Sequence, residues 1–308
     1  MRCNYFTANK SIIIGLTACI FLSSALAAAA SLKLTVVLSG EGGAYHEYSN
    51  ALSTLLAGKN VSLSVIDADQ TLHDSDLVIA AGMKAAIAVA RTRPAAMLAV
   101  LIPKEGYGKL QHDFAAQQKA GAAALSAIYL DQPLKRQLDL IAAVLPKADS
   151  IAVLYAAPPK ELGALRLQAA ARKLVLNERS PGPGSSLYDA LQTLLPGSDV
   201  LLALPDAEIY NTVTIRNILL TTYRNKVPLI GFSPGYVKAG ALCAVFSTPA
   251  QIAEQSLGII QEYAETHTLP AAQYAKEFEV TVNEQVAHSL GLNIRSVSQL
   301  RREIGAAP

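Results

Sequence analysis

Short apolar runs alternate with helical segments along this chain, and no other feature of the sequence limits the fold so strongly. In the first third, the apolar runs at 32–38, 77–80 and 96–102 and the alternating segment 61–66 are predicted strands. Segments with a helical spacing of apolar residues, or rich in alanine, lie between them. Strands that alternate with helices in this way form mostly parallel sheets with helices on both faces. We therefore predict an α/β fold.

The alternation restarts after a change in composition near 127–133, which indicates a second sheet. A predicted amphipathic helix over 134–145 is followed by a new series of apolar runs that begins at 151–155. The last predicted strand covers 278–282. The chain therefore has two successive halves of similar organisation, and we predict two sheets of similar size.

The segment 198–247 is the clearest β-α-β unit of the second half. A strand is predicted at 200–204, a helix at 209–220 and a further strand at 229–232, which ends at the loop 233–235. Crossovers between parallel strands are almost always right-handed. In open sheets of this kind, ligands bind beyond the carboxyl ends of the strands. Residues that touch a ligand are therefore expected in the loops that follow the strands.

The first 30 residues have the pattern of an export signal. Arg2 and Lys10 precede or border a nearly continuous apolar stretch at 11–26, and Ala25-Leu26-Ala27 fits a small-x-small cleavage site. Two alternatives are a membrane anchor and a lipoprotein attached through Cys19. The stretch is short for a membrane span, which needs about 20 apolar residues, and Cys19 is followed by further apolar residues. We therefore predict a cleavable signal peptide and a periplasmic protein.

The charge of the chain argues against a nucleic-acid partner, and its cysteine content argues against stabilisation by an internal disulfide. Of 26 basic residues, two lie in the predicted signal, and none of the 24 acidic residues does, so the remainder is close to neutral. A nucleic-acid-binding protein would instead carry a basic face. Of the three cysteines, only Cys243 lies outside the predicted signal, so no internal disulfide is expected there. Its apolar neighbours Leu242 and Ala244 indicate a buried, inert thiol.

Sequence signatures of catalysis are missing from the chain. The five histidines have no metal-ligand spacing, and neither a G-x-S-x-G elbow nor a P-loop occurs. The glycine-rich segment 39–43 follows the first strand but does not match G-x-G-x-x-G, so it is interpreted as a tight turn at a cleft. We therefore expect no enzymatic activity, no metal and no cofactor.

Residues suited to ligand binding follow several predicted strands. A tyrosine offers both an apolar ring face and a hydroxyl group, which suits a pocket for an organic molecule. Five tyrosines lie in such positions: Tyr45, Tyr107, Tyr129, Tyr155 and Tyr210. Four other side chains there could hydrogen-bond a ligand: Ser39, Asp206, Ser233 and Ser247. Glu41 and Asp131 could pair with an ammonium group, although Asp131 is also placed to cap the helix that starts at Pro133.

Longer segments resemble a known family. The sequence VPLIGFSPGYVKAGALCAVF, followed by a helix and by EFEVTVNEQVAHSLGLNI, is similar to substrate-binding proteins of a bacterial ABC-transporter family. DLVIAAGMKAAIAVA and LPDAEIYN resemble two strand–loop regions of the same family, and the similarity covers roughly 32–294. The best-known members are associated with aromatic amino acids.

This resemblance implies a periplasmic-binding-protein type I fold. That fold has two doubly wound parallel-sheet lobes joined by three crossovers, which close on a ligand about a hinge. The crossovers would lie near 129–132, 246–249 and 275–279. The implied division of the chain is a signal peptide at 1–30, lobe 1 at 31–129 plus 248–275, and lobe 2 at 130–247 plus 276–308.

The ligand-side loops depart from the family pattern at three places. After the third strand, many relatives have a small hydroxyl residue beside the glycine, whereas this chain has Gly82-Met83. After the fourth strand an Asp-Pro pair is common, whereas this chain has Ile102-Pro103-Lys104. Before the late helix, relatives often have glycine, a small polar residue and tyrosine, whereas this chain has Val245-Phe246-Ser247-Thr248. An amino acid is therefore not assured as the ligand, and Met83 favours a larger or more apolar one. The predicted binding residues of lobe 1 are Ser39, Glu41, Tyr45, Gly82, Met83 and Tyr107, those of lobe 2 are Tyr155, Asp206, Tyr210 and Ser233, and Tyr129 and Ser247 lie near the hinge.

The sequence thus predicts an exported, soluble, monomeric binding protein. It would capture a small organic ligand, such as an amino acid or an aromatic compound, and present it to an inner-membrane ABC permease. The alternative is a periplasmic sensor or interaction module of the same fold without a transport role.

Overall fold

The computed structural model describes Met1 and residues 31–117, 124–182 and 186–306. The predicted signal peptide and the lipobox-like Cys19 therefore lie outside the described residues. Residues from Ser31 onward form one structural unit. Within the described residues, no helix is both long and apolar enough to span a membrane.

The first half of the chain builds a six-stranded sheet. Its strands are β1 (Leu32–Leu38), β2 (Val61–Asp67), β3 (Leu77–Ala81), β4 (Ala96–Ile102), β5 (Ala124–Tyr129) and, from late in the sequence, β11 (Gln273–Tyr274). The strand order is β11-β5-β4-β3-β1-β2, and every pairing is parallel. The helices that accompany it are α1 (Gly43–Leu56), α2 (Met83–Thr92), α3 (Lys104–Gln117) and α9 (Pro249–Thr266).

The second half repeats this arrangement. Its strands are β6 (Ser150–Leu154), β7 (Val175–Arg179), β8 (Val200–Leu202), β9 (Leu229–Gly231), β10 (Cys243–Phe246) and β12 (Glu279–Val282). The order β12-β10-β9-β8-β6-β7 matches that of the first sheet, except that β12 pairs antiparallel with β10. The helices are α4 (Leu134–Val144), α5 (Leu162–Ala171), α6 (Leu187–Leu194), α7 (Ile215–Arg224), α8 (Pro234–Ala239), α10 (Glu284–Ser289) and α11 (Val297–Ala306).

Burial on both faces explains why the central strands are apolar throughout. All seven residues of β4 and all five of β3 are buried, because helices cover both sides of the sheet. Edge strand β2 instead alternates and is largely solvent-accessible. Each sheet has an apolar cluster on each face, so four clusters form the core. Cys243 is fully buried in one of them, and burial raises the pKa of its thiol.

The chain passes between the sheets three times. It leaves the first sheet after β5, returns after β10, and leaves again between β11 and β12. The predicted fold class, with two doubly wound sheets and three crossovers, is confirmed. We call the two halves lobe 1 and lobe 2; the lobe boundaries given above stay a prediction.

Three local predictions were wrong. The segment 103–107, which closes the predicted strand 96–102, was interpreted as a loop, but α3 begins within it at Lys104. Gly106 and Gly108 near the start of α3 hide its helical pattern in the sequence. The helix expected from 209 begins only at Ile215, since the side chains of Asn211 and Thr214 hold the preceding residues in turns. Residues after Ser233 form the short helix α8, with Pro234 at its first position.

Candidate functional site

A cavity of about 240 Å³ lies between the two lobes, at the carboxyl ends of β4, β5, β6 and β8. Lobe 1 contributes the start of α3, lobe 2 contributes the start of α5 and the loop after β8, and the first crossover closes one side. Its apolar walls are Pro103, Leu134, Pro159, Leu162, Leu165, Leu204 and Pro205. This position agrees with the rule that ligands of open α/β sheets bind beyond the strand ends.

Tyrosine rings form the aromatic part of the wall. Tyr107 and Tyr129 line the cavity, and their ring centroids are 5.6 Å apart. Tyr274 packs edge-on behind Tyr129, with the centroids 5.2 Å apart. Tyr129 ends β5 and Tyr274 ends the adjacent strand β11, so sheet pairing places these two rings side by side. The cavity thus offers flat apolar surfaces to an organic ligand.

An ion pair connects the lobes across the cavity. The Nζ of Lys104, at the start of α3 in lobe 1, lies 2.5 Å from Oε1 of Glu161, which precedes α5 in lobe 2. The hydroxyl of Tyr274 accepts a hydrogen bond from Lys104 at 3.0 Å and donates one to Glu161 at 2.9 Å. Burial lowers the pKa of Lys104, but the hydrogen bonds to Glu161 and Tyr274 outweigh it and the pKa is raised overall.

Asp131 lies in the first crossover and also lines the cavity. Its carboxylate accepts the backbone N–H of Lys104, so it caps the start of α3. Helix α4 begins after Pro133 without a side-chain cap, so the expected capping of that helix by Asp131 was wrong. The pKa of Asp131 is raised to about 6, chiefly by burial and also by the nearby Glu161 carboxylate, which together outweigh the lowering effect of the Lys104 N–H.

Hydrogen bonds join the three crossovers into one hinge. Gln132 Nε2 donates to the Oγ of buried Ser247 at 2.9 Å, and Ser247 donates to the carbonyl of Glu277 at 2.6 Å. The guanidinium of Arg136 donates to Gln132 Oε1 and to the carbonyl of Ala275. Ser247, predicted near the hinge, therefore satisfies its hydrogen-bonding capacity within the protein.

Three predicted residues of lobe 1 lie together at the ends of β1 and β3. Ser39 Oγ accepts the N–H of Ala85 at 2.9 Å. Gly82 has φ of +90°, and a Cβ there would lie 2.5 Å from Ser39 Oγ and 2.7 Å from the Tyr45 ring, so only glycine fits. Met83 turns away toward α3, where its Sδ would lie 2.6 Å from a Cβ on Gly106. Glu41 is exposed.

The predicted residues of lobe 2 mostly bond within their own lobe. Asp206 accepts the N–H groups of Ala156, Glu208 and Ile209 and so organises the loop after β8. Tyr155 donates to Glu178 at 3.1 Å. The buried Tyr210 packs edge-on against Phe232 and Tyr236, and its hydroxyl has no partner among the described residues. Ser233 precedes α8 without capping it.

Of the predicted set, then, Tyr107 and Tyr129 line the cavity, and the other residues do not. Lys104 and Glu161 were missed as site residues. Lys104 could have been identified from the sequence, because Pro103-Lys104 departs from the family pattern directly after a strand. No sequence feature pointed to Glu161. Their partnership joins residues 57 positions apart and depends on how the lobes meet.

Comparison with known proteins identifies the family. The model of ABC transporter substrate-binding proteins matches residues 61–299. The chain belongs to this family. The resemblance proposed from the sequence is therefore confirmed. A search of curated proteins gives no match.

Several solved structures share the fold. A conserved domain protein from Vibrio cholerae is 21% identical, with a TM-score of 0.62 over 88% of this chain and 98% of that one. A ligand-free, open substrate-binding protein with adhesive properties from Clostridium difficile is 16% identical, with a TM-score of 0.64 over 86% and 96%. A Streptococcus pneumoniae protein in complex with L-Trp is 14% identical, with a TM-score of 0.61 over 88% and 98%. The architecture is that of type I periplasmic binding proteins.

The described residues contain no group of three or more His, Cys, Asp or Glu side chains that could hold a metal ion.

Proposed function

We propose that this protein is the solute-binding component of an ABC-type import system. It acts outside the cytoplasm, holds a small organic ligand between its lobes, and presents the closed form to a membrane permease. Family membership supports solute binding, and the predicted signal peptide supports export. The ligand leaves the cleft unaltered, as family membership implies.

The observation that carries this proposal is a cavity whose walls come from both lobes and from the hinge. A ligand there touches both lobes at once, so it binds the closed state more tightly than the open one. Such differential binding shifts the population toward the closed state. Closure of two domains about a hinge is a known switching motion of binding proteins.

Thermal shift with a broad panel of amino acids, aromatic compounds and other small solutes tests the proposal. A binding solute should raise Tm, and small-angle scattering should then show a smaller radius of gyration. A panel that leaves both Tm and the radius unchanged would contradict solute binding. Uptake of the identified solute, lost on deletion of the gene, separates transport from a sensor or interaction role.

A further inference from the structure

The inner wall of the cavity carries more negative than positive charge. Its central ionisable groups are Lys104, Asp131 and Glu161, and the ammonium of Lys104 is already held by Glu161. Asp131 receives a backbone N–H from Lys104, and no cationic side chain of the described residues forms a salt bridge with it. Two further charged residues line the rim: Glu105, which pairs with Lys109 at 2.9 Å, and the exposed Lys160. Among the described residues, the Asp131 carboxylate is therefore the inner charge that takes part in no salt bridge, although the nearby Lys104 ammonium lowers its pKa slightly.

The surroundings of Asp131 suit a cation. Burial together with the neighbouring carboxylate of Glu161 disfavours its ionised form, so its pKa is raised. A positive charge placed beside it would relieve both effects. Tyr129, two residues earlier in the chain, presents its ring to the same cavity and already lies 5.9 Å from the Lys104 ammonium. Ring faces attract cations at such distances.

The size and the apolar walls limit the rest of the ligand. A cavity of about 150 Å³ lined by apolar side chains holds a benzene molecule, so 240 Å³ accommodates one ring with a short substituent. No arginine is among the described residues that line the cavity. The inner lysine is engaged by Glu161 and the rim lysine is in solvent, so a ligand carboxylate would find no inner cation.

We propose that the ligand is a small organic cation, a protonated amine attached to a single apolar ring, without a carboxylate. Its ammonium lies between Asp131 and the Tyr129 ring, and its ring packs on the leucines and prolines of the walls. This rests on the proposed function, because it specifies the chemistry of the same cavity.

Four ligands of one size test the charge requirement by calorimetry: 2-phenylethylamine, phenylalanine, 3-phenylpropionate and 2-phenylethanol. The amine should bind at least about tenfold more tightly than each of the others, the typical effect of losing a partner of a buried charge. Tightest binding by phenylalanine, 3-phenylpropionate or the alcohol overturns the inference and leaves solute binding intact. If nothing from these four or from the broad solute panel binds, the proposed function itself fails.

Two further measurements locate the site. Asp131→Asn keeps an acceptor for the Lys104 N–H and should weaken amine binding roughly tenfold or more, with a cooperative melting transition no lower than that of the parent protein as evidence of folding. Asp69→Asn removes the same charge at an exposed position that does not line the cavity and should change affinity less than about twofold. Equal losses in both variants overturn the assignment to Asp131.

The affinity for the amine should also depend on pH. Protonation of Asp131 removes the ammonium partner, so affinity should fall about tenfold from pH 8 to pH 5 as the carboxyl is protonated near pH 6. The groups facing Asp131 are Lys104 on α3, Glu161 before α5 and Tyr129 on β5. Asp131→Asn should flatten this profile; a profile that stays steep in the variant contradicts the role of Asp131.

Discussion

At the scale of single residues, Asp131 shows how one side chain serves two purposes. It caps α3 through the Lys104 N–H, which links the first crossover to lobe 1. It also lines the cavity, where burial and the nearby Glu161 disfavour its charge. The sequence indicated that Asp131 could cap a helix, but it did not indicate which one. The carboxylate caps α3, which precedes it in the chain, rather than α4, which follows it.

The raised pKa of Asp131 predicts a pH-dependent effect on stability. Its folded-state pKa of about 6 exceeds the ordinary 3.8, so its stabilising contribution is complete below pH 3.8 and is lost as the pH rises through 6. Above pH 6 the cost is at most ~3 kcal/mol. In Asp131→Asn, the free energy of unfolding should therefore rise relative to the parent protein at pH 7 but not at pH 4.

Denaturant unfolding at both pH values measures this difference. Asp69 is exposed, so Asp69→Asn is the control. Its free energy of unfolding should differ from that of the parent protein by the same amount at both pH values. A gain for Asp131→Asn that is as large at pH 4 as at pH 7 would show that ionisation of Asp131 is not its cause.

At the scale of elements, the second crossover is anchored by the start of α9. The Thr248 hydroxyl accepts the N–H of Gln251 at 3.2 Å, and the Gln251 side chain accepts the N–H of Thr248 at 2.9 Å. Pro249 occupies the first helical position, where its missing N–H costs nothing. The Gln251 amide also reaches Glu279 in the third crossover at 3.0 Å, so this capping box is connected to the hinge.

Thr248→Ala should lower the free energy of unfolding by about 1 kcal/mol, because the first turn of α9 loses its side-chain acceptor. Chemical denaturation measures the loss. Thr54→Ala, at an exposed position within α1, is the matched control and should cost less than about 0.5 kcal/mol. Equal effects of the two substitutions would show that the capping box does not stabilise the crossover.

At the scale of the whole molecule, the ion pair between Lys104 and Glu161 favours closed lobes before any ligand binds. The two side chains are 40% and 34% exposed, so solvent screens their attraction and the pair contributes at most ~1 kcal/mol. That is a factor of about five in the ratio of closed to open molecules. The ion pair therefore biases the equilibrium and leaves the ligand to complete closure.

Glu161→Gln should increase the radius of gyration of the ligand-free protein in small-angle scattering, and the swap Lys104→Glu with Glu161→Lys should reverse the increase. Arg166→Gln is the matched control, because it breaks a pair with Glu178 inside lobe 2. An unchanged radius in Glu161→Gln, or an equal increase in the control, would contradict a role for the interlobe pair in closure.

How much of the structure can be predicted from the sequence depends on how far apart in the chain the interacting residues lie. Strands such as β3 and β4 were predictable because burial on both faces leaves a continuous apolar run, and α4 because one face is apolar. Helix α3 was missed, since two glycines near its start obscure its pattern, and α11 was not predicted. The tyrosines at strand ends could be found, because the carboxyl ends of parallel strands meet at one edge.

The sequence by itself determined the alternation of strands and helices, the two halves, and the family, because these depend on local periodicity and on extended similarity. Only the tertiary structure decided which charges face one another. Lys104 and Glu161 meet because the ends of β4 and β6 approach across the cleft, and Ser247 is used by the hinge because three separate crossovers pack together. Such contacts arise between distant segments, and no local pattern encodes them.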